Sequence, residues 1–553
     1  MNPSAARLSF GLALFAGVAP LWVGRHLPLV DLPQHLHLIS VLHRLDDPTT
    51  LFPQLFEARG TLTPYLGYYY LVSALGWLFP LELANKLFLS AYVVGMPLSL
   101  AFLLRSLGRP TWPALLSLPF AYGDSLAWGF INYCSALPLS FLTMGLFVRA
   151  VVDEPRRRRH AAALAVSLVA VLLFHVQAFA YLGVALPFLL LTTRAPQDGG
   201  QSWSEWLRAR QWALWGVVPG VVLFLVWVGL RLGEPTEVEA GAPWKAWGPL
   251  LSAQNLSFKT FAQNRADLFH VVANMLADGS DRYGFYAVLA IAAAGLVLAL
   301  TPWGIPQDRN EGLKELVERW RMVGRAVRSF VFSLLQRPRP LLKLFGDWRM
   351  AGLSALALAL FFSLPFDIRG YMYYLNTRFA HLAWPLLLAA VPVVSARAQR
   401  LLGVLAAATA VVLAIPLSRG FAAFDEEARA LDDLAALTAE RPMVMGLIFD
   451  PRSQVVGHPV YLHAATVLAR ARGGATNFSF ALTPHSPLEY RGMPPPTFPS
   501  EWRPDQFSYP TMGKAYDHFL VRGVHPARIF GALLDTELAI AGQSRGFWLV
   551  RRR

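Results

Sequence analysis

Asp31-Leu32-Pro33-Gln34-His35-Leu36-His37 puts one carboxylate and two imidazoles directly after the first long apolar segment. Ionisable groups beside a membrane span are costly unless they line a water-filled site, so their placement points to chemistry. A carboxylate near a histidine and an arginine can act as general base toward a hydroxyl or amine. Asp31 and His35 are the candidates for that role. The bland alternative for Asp31 is a helix N-cap, with Pro33 in the first turn of the following helix. Further polar residues near the ends of apolar segments are Asp124, His175, Gln177, Asp367, Arg369, Tyr371 and Arg378. Arg378 and Arg369, with Tyr371 between them, could clamp a phosphate, because guanidinium offers paired donors matched to phosphate oxygens. The competing role for each arginine is snorkelling to lipid headgroups. For His175 it is a satisfied polar residue inside a helix bundle. His35 and His37, two residues apart, cannot share a helix face, so a joint metal site would need extended chain.

The elements that must position these residues are membrane helices. Hydrophobic residues fill 55% of 553 positions and charged residues only 15%, and mean hydropathy is +0.40, which excludes an ordinary soluble protein. The net charge of +14 collects in short loops between apolar runs, as topology signals do, so nucleic acid is not an expected partner. A lone cysteine, Cys134, excludes an internal disulfide and a cysteine-based metal cluster. Apolar runs fall near 8–24, 84–104, 111–127, 131–151, 161–175, 177–192, 212–231, 283–302, 350–366, 379–395 and 400–416. The aromatic stretch Tyr65–Phe79 either spans or lies in the interface. If it does not span, the basic loops (Arg105 and Arg109, Arg156 to Arg159, Arg194, Arg208, Arg210, Arg397, Arg400) all share the N-terminal side. The positive-inside rule therefore predicts about eleven spans, N-terminus cytoplasmic and C-terminus outside.

In that topology Asp31 (loop 24–83), Asp124, His175 and Arg378 all face the outer side. Residues 1–419 form the transmembrane domain, and 420–553 a small soluble extracytoplasmic α/β domain. Its expected strands are Met443–Phe449, Phe519–Val521 and Phe547–Val550, its helices Asp425–Thr438 and Tyr461–Arg472, with Pro484–Pro510 as a surface loop. The cytoplasmic basic segment 303–349 contains an amphipathic pattern over Leu313–Leu335, suited to an anionic inner leaflet.

The layout resembles the C-type (GT-C) superfamily of integral-membrane glycosyltransferases, which use polyprenyl-phosphate-linked sugars. The resemblance rests on Asp31-Leu-Pro-Gln-His35 in the first outer loop, where members carry Asp-Glu or Asp-x-Asp. It rests also on Thr63-Pro64-Tyr65-Leu-Gly-Tyr68-Tyr69-Tyr70, where many bacterial members have Pro-Pro-Leu-Tyr-Tyr, and on the appended outer domain. It implies a bacterial cytoplasmic-membrane enzyme moving a sugar from a polyprenyl-phosphate donor to a glycan, lipid or protein acceptor. Asp31 and His35 would be catalytic, Arg378, Arg369 and Tyr371 would hold the donor phosphate, and Tyr65, Tyr68 and Tyr69 would contact acceptor or lipid. Metal-using members place a second acidic residue where Asp124 stands, so Asp31, Asp124 and His35 are the candidate ligands of a divalent ion such as Mg or Mn. His35 in place of a second acidic residue departs from the pattern. The alternatives are a non-catalytic assembly protein on the same scaffold, or a lipid or polysaccharide transporter. Against the transporter, the ionisable residues cluster at one membrane face rather than at the midplane.

Overall fold

The computed structural model describes residues 3–196, 203–232, 254–299, 348–368 and 372–553. Arg369, Tyr371 and the amphipathic stretch Leu313–Leu335 lie outside them.

The chain is mostly helical: α1 (Pro3–Val18), α2 (Leu32–His43), α3 (Phe52–Leu55), α4 (Leu66–Gly76), α5 (Leu81–Ser106), α6 (Asp124–Ala127), α7 (Ile131–Val152), α8 (Arg157–Phe174), α9 (Val176–Thr192) and α10 (Trp203–Leu232). Then follow α11 (Phe261–His270), α12 (Arg282–Ala299), α13 (Arg349–Ser363), α14 (Ala380–Leu388), α15 (Ala396–Ala436) and α16 (Ala464–Ala471). Among the described residues five helices are long and apolar enough to cross a membrane: α5, α7, α10, α12 and α15. The protein is a multi-pass membrane protein. Helices α1, α9 and α13 are apolar but shorter. Small residues let neighbouring helices close up, as membrane packing requires: a Cβ on Gly216 of α10 would fall 2.8 Å from the Ala161 carbonyl of α8.

Two apolar runs differ from the expected spans. Residues 111–127 form a buried 3-10 helix, Trp112–Tyr122, followed by the single turn α6. Pro113 and Pro119 remove the amide donors a regular α-helix would use there. In the 379–395 run, α14 stops at Leu388 after nine residues, with Pro392 beyond it. Within Tyr65–Phe79 the helix α4 is 11 residues long, about 16 Å at 1.5 Å per residue, well short of a hydrocarbon core of about 30 Å.

α15 spans 41 residues and runs unbroken past Arg419 to Ala436, so the polar region begins on a helix that starts among the membrane elements. Ahead of α15, the short strands β2 (Leu256–Ser257) and β3 (Asp367–Ile368) pair antiparallel. Beyond it the expected strands form: β4 (Met443–Ile448), β7 (His518–Arg522) and β9 (Phe547–Arg552), with β5 (Ala475–Thr476) and β8 (Leu538–Ser544). The sheet order is β5-β4-β7-β9-β8, parallel across β5, β4 and β7 and antiparallel beyond. Alternate residues serve two cores, as the two-residue strand period dictates. Val444, Ile448, Leu520, Phe547 and Leu549 join the main core that continues into the membrane helices. Met445, Leu447, Phe519, Val521 and Val550 join a second core with Phe498, Tyr509 and Phe530.

The 24–83 loop and the C-terminal region are interlocked. β1 (Phe56–Ala58) pairs antiparallel with β6 (Leu488–Tyr490), flanked by Arg59–Glu489 and Arg491–Glu57 ion pairs at 3.4 Å. The Pro484–Pro510 stretch is therefore pinned through β6 rather than being a free surface loop. From α2, His37 Nε2 donates to the Gly474 carbonyl at 3.0 Å and Gln34 Nε2 to the Phe478 carbonyl at 2.9 Å. On α15, Asp425 Oδ1 accepts from the Arg25 and His26 amides, both at 2.7 Å. A cavity open at one side lies between these parts.

Candidate active site

The cavity has a volume of about 270 Å³ and is walled by residues from six stretches of chain: Asp31 and His35; Tyr65 and Tyr69; Phe130 to Tyr133; His175; Arg378; and Phe480 with Leu482 to His485.

Asp31 is placed by its backbone. Its amide donates to the Trp128 carbonyl at 3.0 Å, and the Val30 amide to the Ala127 carbonyl at 2.9 Å, so residues 30–31 lie along the turn after α6. Gly129 makes this approach possible. It has φ +86°, and a Cβ there would sit 2.8 Å from the Asp31 nitrogen. Asp31 precedes α2, with Pro33 in the first turn, yet its side chain makes no capping hydrogen bond. The carboxylate instead meets His463, whose Nε2 lies 3.3 Å from Asp31 Oδ1.

His35 is the next turn of α2 and is fully committed. Nε2 donates to the Gly129 carbonyl at 3.0 Å, so Nδ1 must accept from the Tyr69 hydroxyl at 2.7 Å. Burial pushes the imidazole down to about 4, so it is neutral at ordinary pH. His37 lies on the other side of α2 against Phe52 and Phe56, away from the cavity. Tyr65 and Tyr69 line the cavity. Tyr68 does not: it is buried behind His35, and its hydroxyl donates to Asn85 at 2.7 Å.

Arg378 closes the opposite wall, 8% exposed, in the 3-10 turn before α14. Its guanidinium lies 4.2 Å from the Phe130 ring centroid and 5.8 Å from that of Tyr133. Nη2 donates to the Tyr373 carbonyl at 3.2 Å, Nη1 lies 3.1 Å from His175 Nε2, and Nε has no partner. No carboxylate pairs with it among the described residues. His175 caps α9 by accepting the Gln177 amide at Nδ1, 3.2 Å away. That tautomer puts its remaining proton on Nε2, facing a guanidinium that is also a donor.

Asp124 is elsewhere. It lies in a second, polar cavity of about 360 Å³ with His458, Asn274, and the Lys259–Asp267 ion pair. Its Oδ1 accepts from Asn274 Nδ2 at 3.1 Å and lies 2.9 Å from His458 Nε2. Asp31 and Asp124 therefore do not converge, and both nitrogens of His35 are taken. Among the described residues no three His, Cys, Asp or Glu side chains are grouped to hold a metal ion. The expected ligand set Asp31, Asp124 and His35 does not fit a divalent ion, and no step is derived through one.

The C-terminal region contributes what sequence reasoning missed. Phe480, Leu482, Thr483, Pro484 and His485 line the cavity, and His463 and Glu501 stand behind Asp31, with Glu501 Oε2 3.4 Å from His463 Nδ1. These residues are more than 400 positions from Asp31. The available signal was weak: two histidines, His458 and His463, in a soluble segment just ahead of a helix.

No family model matches the chain, and no curated protein matches it. It is similar to the crystal structure of ArnT from Cupriavidus metallidurans bound to undecaprenyl phosphate, with a TM-score of 0.48 and 12% identity, over 100% of this chain and 98% of that one. The apo form of the same protein gives 0.46 and 13%, over 99% and 97%. An Archaeoglobus fulgidus oligosaccharyltransferase tethered to an acceptor peptide gives 0.44 and 11%, over 87% of this chain and 65% of that one. At these scores and identities the likeness carries no functional argument, and the reading of the site rests on the chain's own residues.

Proposed function

We propose that this protein is a membrane glycosyltransferase that moves a sugar from a polyprenyl-phosphate carrier to an acceptor at the outer face of the bacterial cytoplasmic membrane. The observation that carries the reading is Arg378, a buried guanidinium with a free Nε, no carboxylate partner among the described residues, and a place in the same cavity as Asp31. A buried cation without a counter-ion is expensive, and an anionic ligand would relieve that cost. Phosphate oxygens match a guanidinium fork. Asp31 and Arg378 form no ion pair with each other, so each stays available across the cavity.

In this reading the acceptor O–H gives its proton to Asp31 as its oxygen bonds to the sugar C1. The C1–O bond to the carrier breaks, and its electron pair leaves on the phosphate, whose charge Arg378 offsets. Arg369 and Tyr371 are proposed as further phosphate contacts. Tyr65 and Tyr69 offer an aromatic wall to the isoprenoid or the acceptor, and His35 serves by holding Tyr69 and Gly129 rather than by taking the proton.

The test is purified protein in lipid nanodiscs, given radiolabelled polyprenyl-phosphate sugars and cell-envelope acceptors, with label leaving the carrier as the readout. Asp31→Asn should lower kcat by about a hundredfold or more, with donor binding retained. Arg378→Ala should weaken donor binding by about tenfold or more, the worth of a hydrogen bond to a charged group. Donor binding without transfer, unaffected by Asp31→Asn, would support the non-catalytic alternative and sink the enzyme reading.

A further inference from the structure

We propose that the C-terminal region completes the reaction centre: His463, held by Glu501, is a positioning residue that orients the Asp31 carboxylate by placing a cation beside it. The proposal rests on the glycosyl-transfer reading above and assigns roles to two residues outside the membrane helices.

His463 is 4% exposed and stands immediately ahead of α16. Its ring lies between two carboxylates, Asp31 Oδ1 at 3.3 Å from Nε2 and Glu501 Oε2 at 3.4 Å from Nδ1. Nε2 meets Asp31 at an ion-pair distance without hydrogen-bond alignment. Nδ1 also lies 3.5 Å from Gln34 Nε2, but the two hydrogens of that amide have nearer acceptors in Thr466 Oγ1 at 3.1 Å and the Phe478 carbonyl at 2.9 Å. Phe480 meets the ring edge-on, with centroids 5.6 Å apart. A buried imidazole with an acid at each nitrogen is best satisfied as imidazolium, which donates from both. Burial works against that form, but Glu501 and Asp31 outweigh it, and His463 titrates above the ordinary histidine range. Glu501 is pushed up by its own burial, a shift that His463 opposes and Asp31 adds to.

Among the described residues, the other charged or titratable groups near this array are His35 from α2, Tyr69 from α4, and Tyr374 and Arg378 ahead of α14. His35 is neutral, so the nearest fixed positive charge behind Asp31 is His463. Holding Oδ1 leaves Oδ2 as the oxygen available to an acceptor hydroxyl. His463 does not take the proton; it sets where Asp31 receives it.

The experiment uses the full chain in nanodiscs. In the transfer assay, Glu501→Gln and His463→Gln should each lower kcat, leave donor KM within about twofold, and move the acid limb of the kcat/KM profile up by about one pH unit, as expected when an opposite charge beside a carboxylate is lost. A loss equal at all pH values, with the limb unmoved, means a structural role and overturns the proposal. Should His463→Gln fail to fold, Glu501→Gln alone decides, since its side chain is partly exposed. A second readout needs no turnover. With ¹⁵N-histidine labelling, the highest-titrating histidine resonance should be absent in His463→Gln and should fall by about one unit in Asp31→Asn and in Glu501→Gln. If no sugar is transferred but this coupling is present, the transfer reading falls and the array stands. If sugar is transferred but limb and resonance are both unmoved, the positioning role falls.

Discussion

His35 shows how a histidine that looks catalytic in sequence becomes a fixed strut. Both ring nitrogens are engaged, to Gly129 and Tyr69, and the ring stays neutral because burial lowers its pKa to about 4. The consequence for acid stability has a definite sign. The unfolded chain binds a proton near pH 6.5 while the folded chain resists it. This contribution is thus fully present above 6.5 and is lost as pH falls toward 4, by about 3 kcal/mol for a shift of this size. His37 is pushed to about 4 by the same cause and adds dependence of the same sign. Thermal melting of the detergent-solubilised protein should show a falling Tm across that window, and His35→Gln should flatten part of the fall. Equal pH dependence in the two proteins would show that His35 is not held neutral.

At the scale of elements, the join between the 24–83 loop and the C-terminal region decides whether the cavity exists. Strands β1 and β6 carry it, with Glu57 opposite Glu489. Directly opposed residues in an antiparallel pair have Cα atoms about 4.5–5.5 Å apart, within disulfide range. Glu57→Cys with Glu489→Cys should therefore oxidise to a cross-link between tryptic peptides, detectable by mass spectrometry. Failure to cross-link under oxidant would place the two regions apart and dismantle the cavity. Beside this join, α4 ends in an apolar cluster, with Trp77 75% exposed and Leu78 and Phe79 also outward. An 11-residue helix with such a tip suits the membrane interface, where tryptophan and tyrosine prefer to lie.

At the scale of the molecule, the site is shared. Membrane-proximal turns supply Asp31, Phe130, Tyr133, His175 and Arg378, and the polar region supplies His463, Phe480, His485 and Glu501. Such sharing demands that all of them lie on one side of the membrane. In the proposed topology that side is the outer one. In a variant with Cys134 replaced by Ala, an impermeant maleimide applied to intact cells or spheroplasts should label Met493→Cys, which is 95% exposed, and leave Arg159→Cys unlabelled until permeabilisation. The reverse pattern would turn the whole assignment over.

What the sequence determined by itself was local or compositional. Apolar run length marked the membrane helices, short apolar runs marked β4, β7 and β9, and the isolated acid in Asp31-Leu-Pro pointed to a residue that lines the cavity. Those features are written in neighbouring residues, and the physics that reads them is short-range. Proline density limited the same reading: runs 111–127 and 379–395 are apolar enough to span, yet their prolines leave a 3-10 helix and a nine-residue helix. Only the tertiary structure decided which polar groups meet. It separated Asp124 from Asp31, removed His35 from proton duty by pairing both its nitrogens, and drew His463 and Glu501 to Asp31 from the far end of the chain. Partnerships of that kind depend on distances set by packing across hundreds of residues, for which sequence spacing carries no signal.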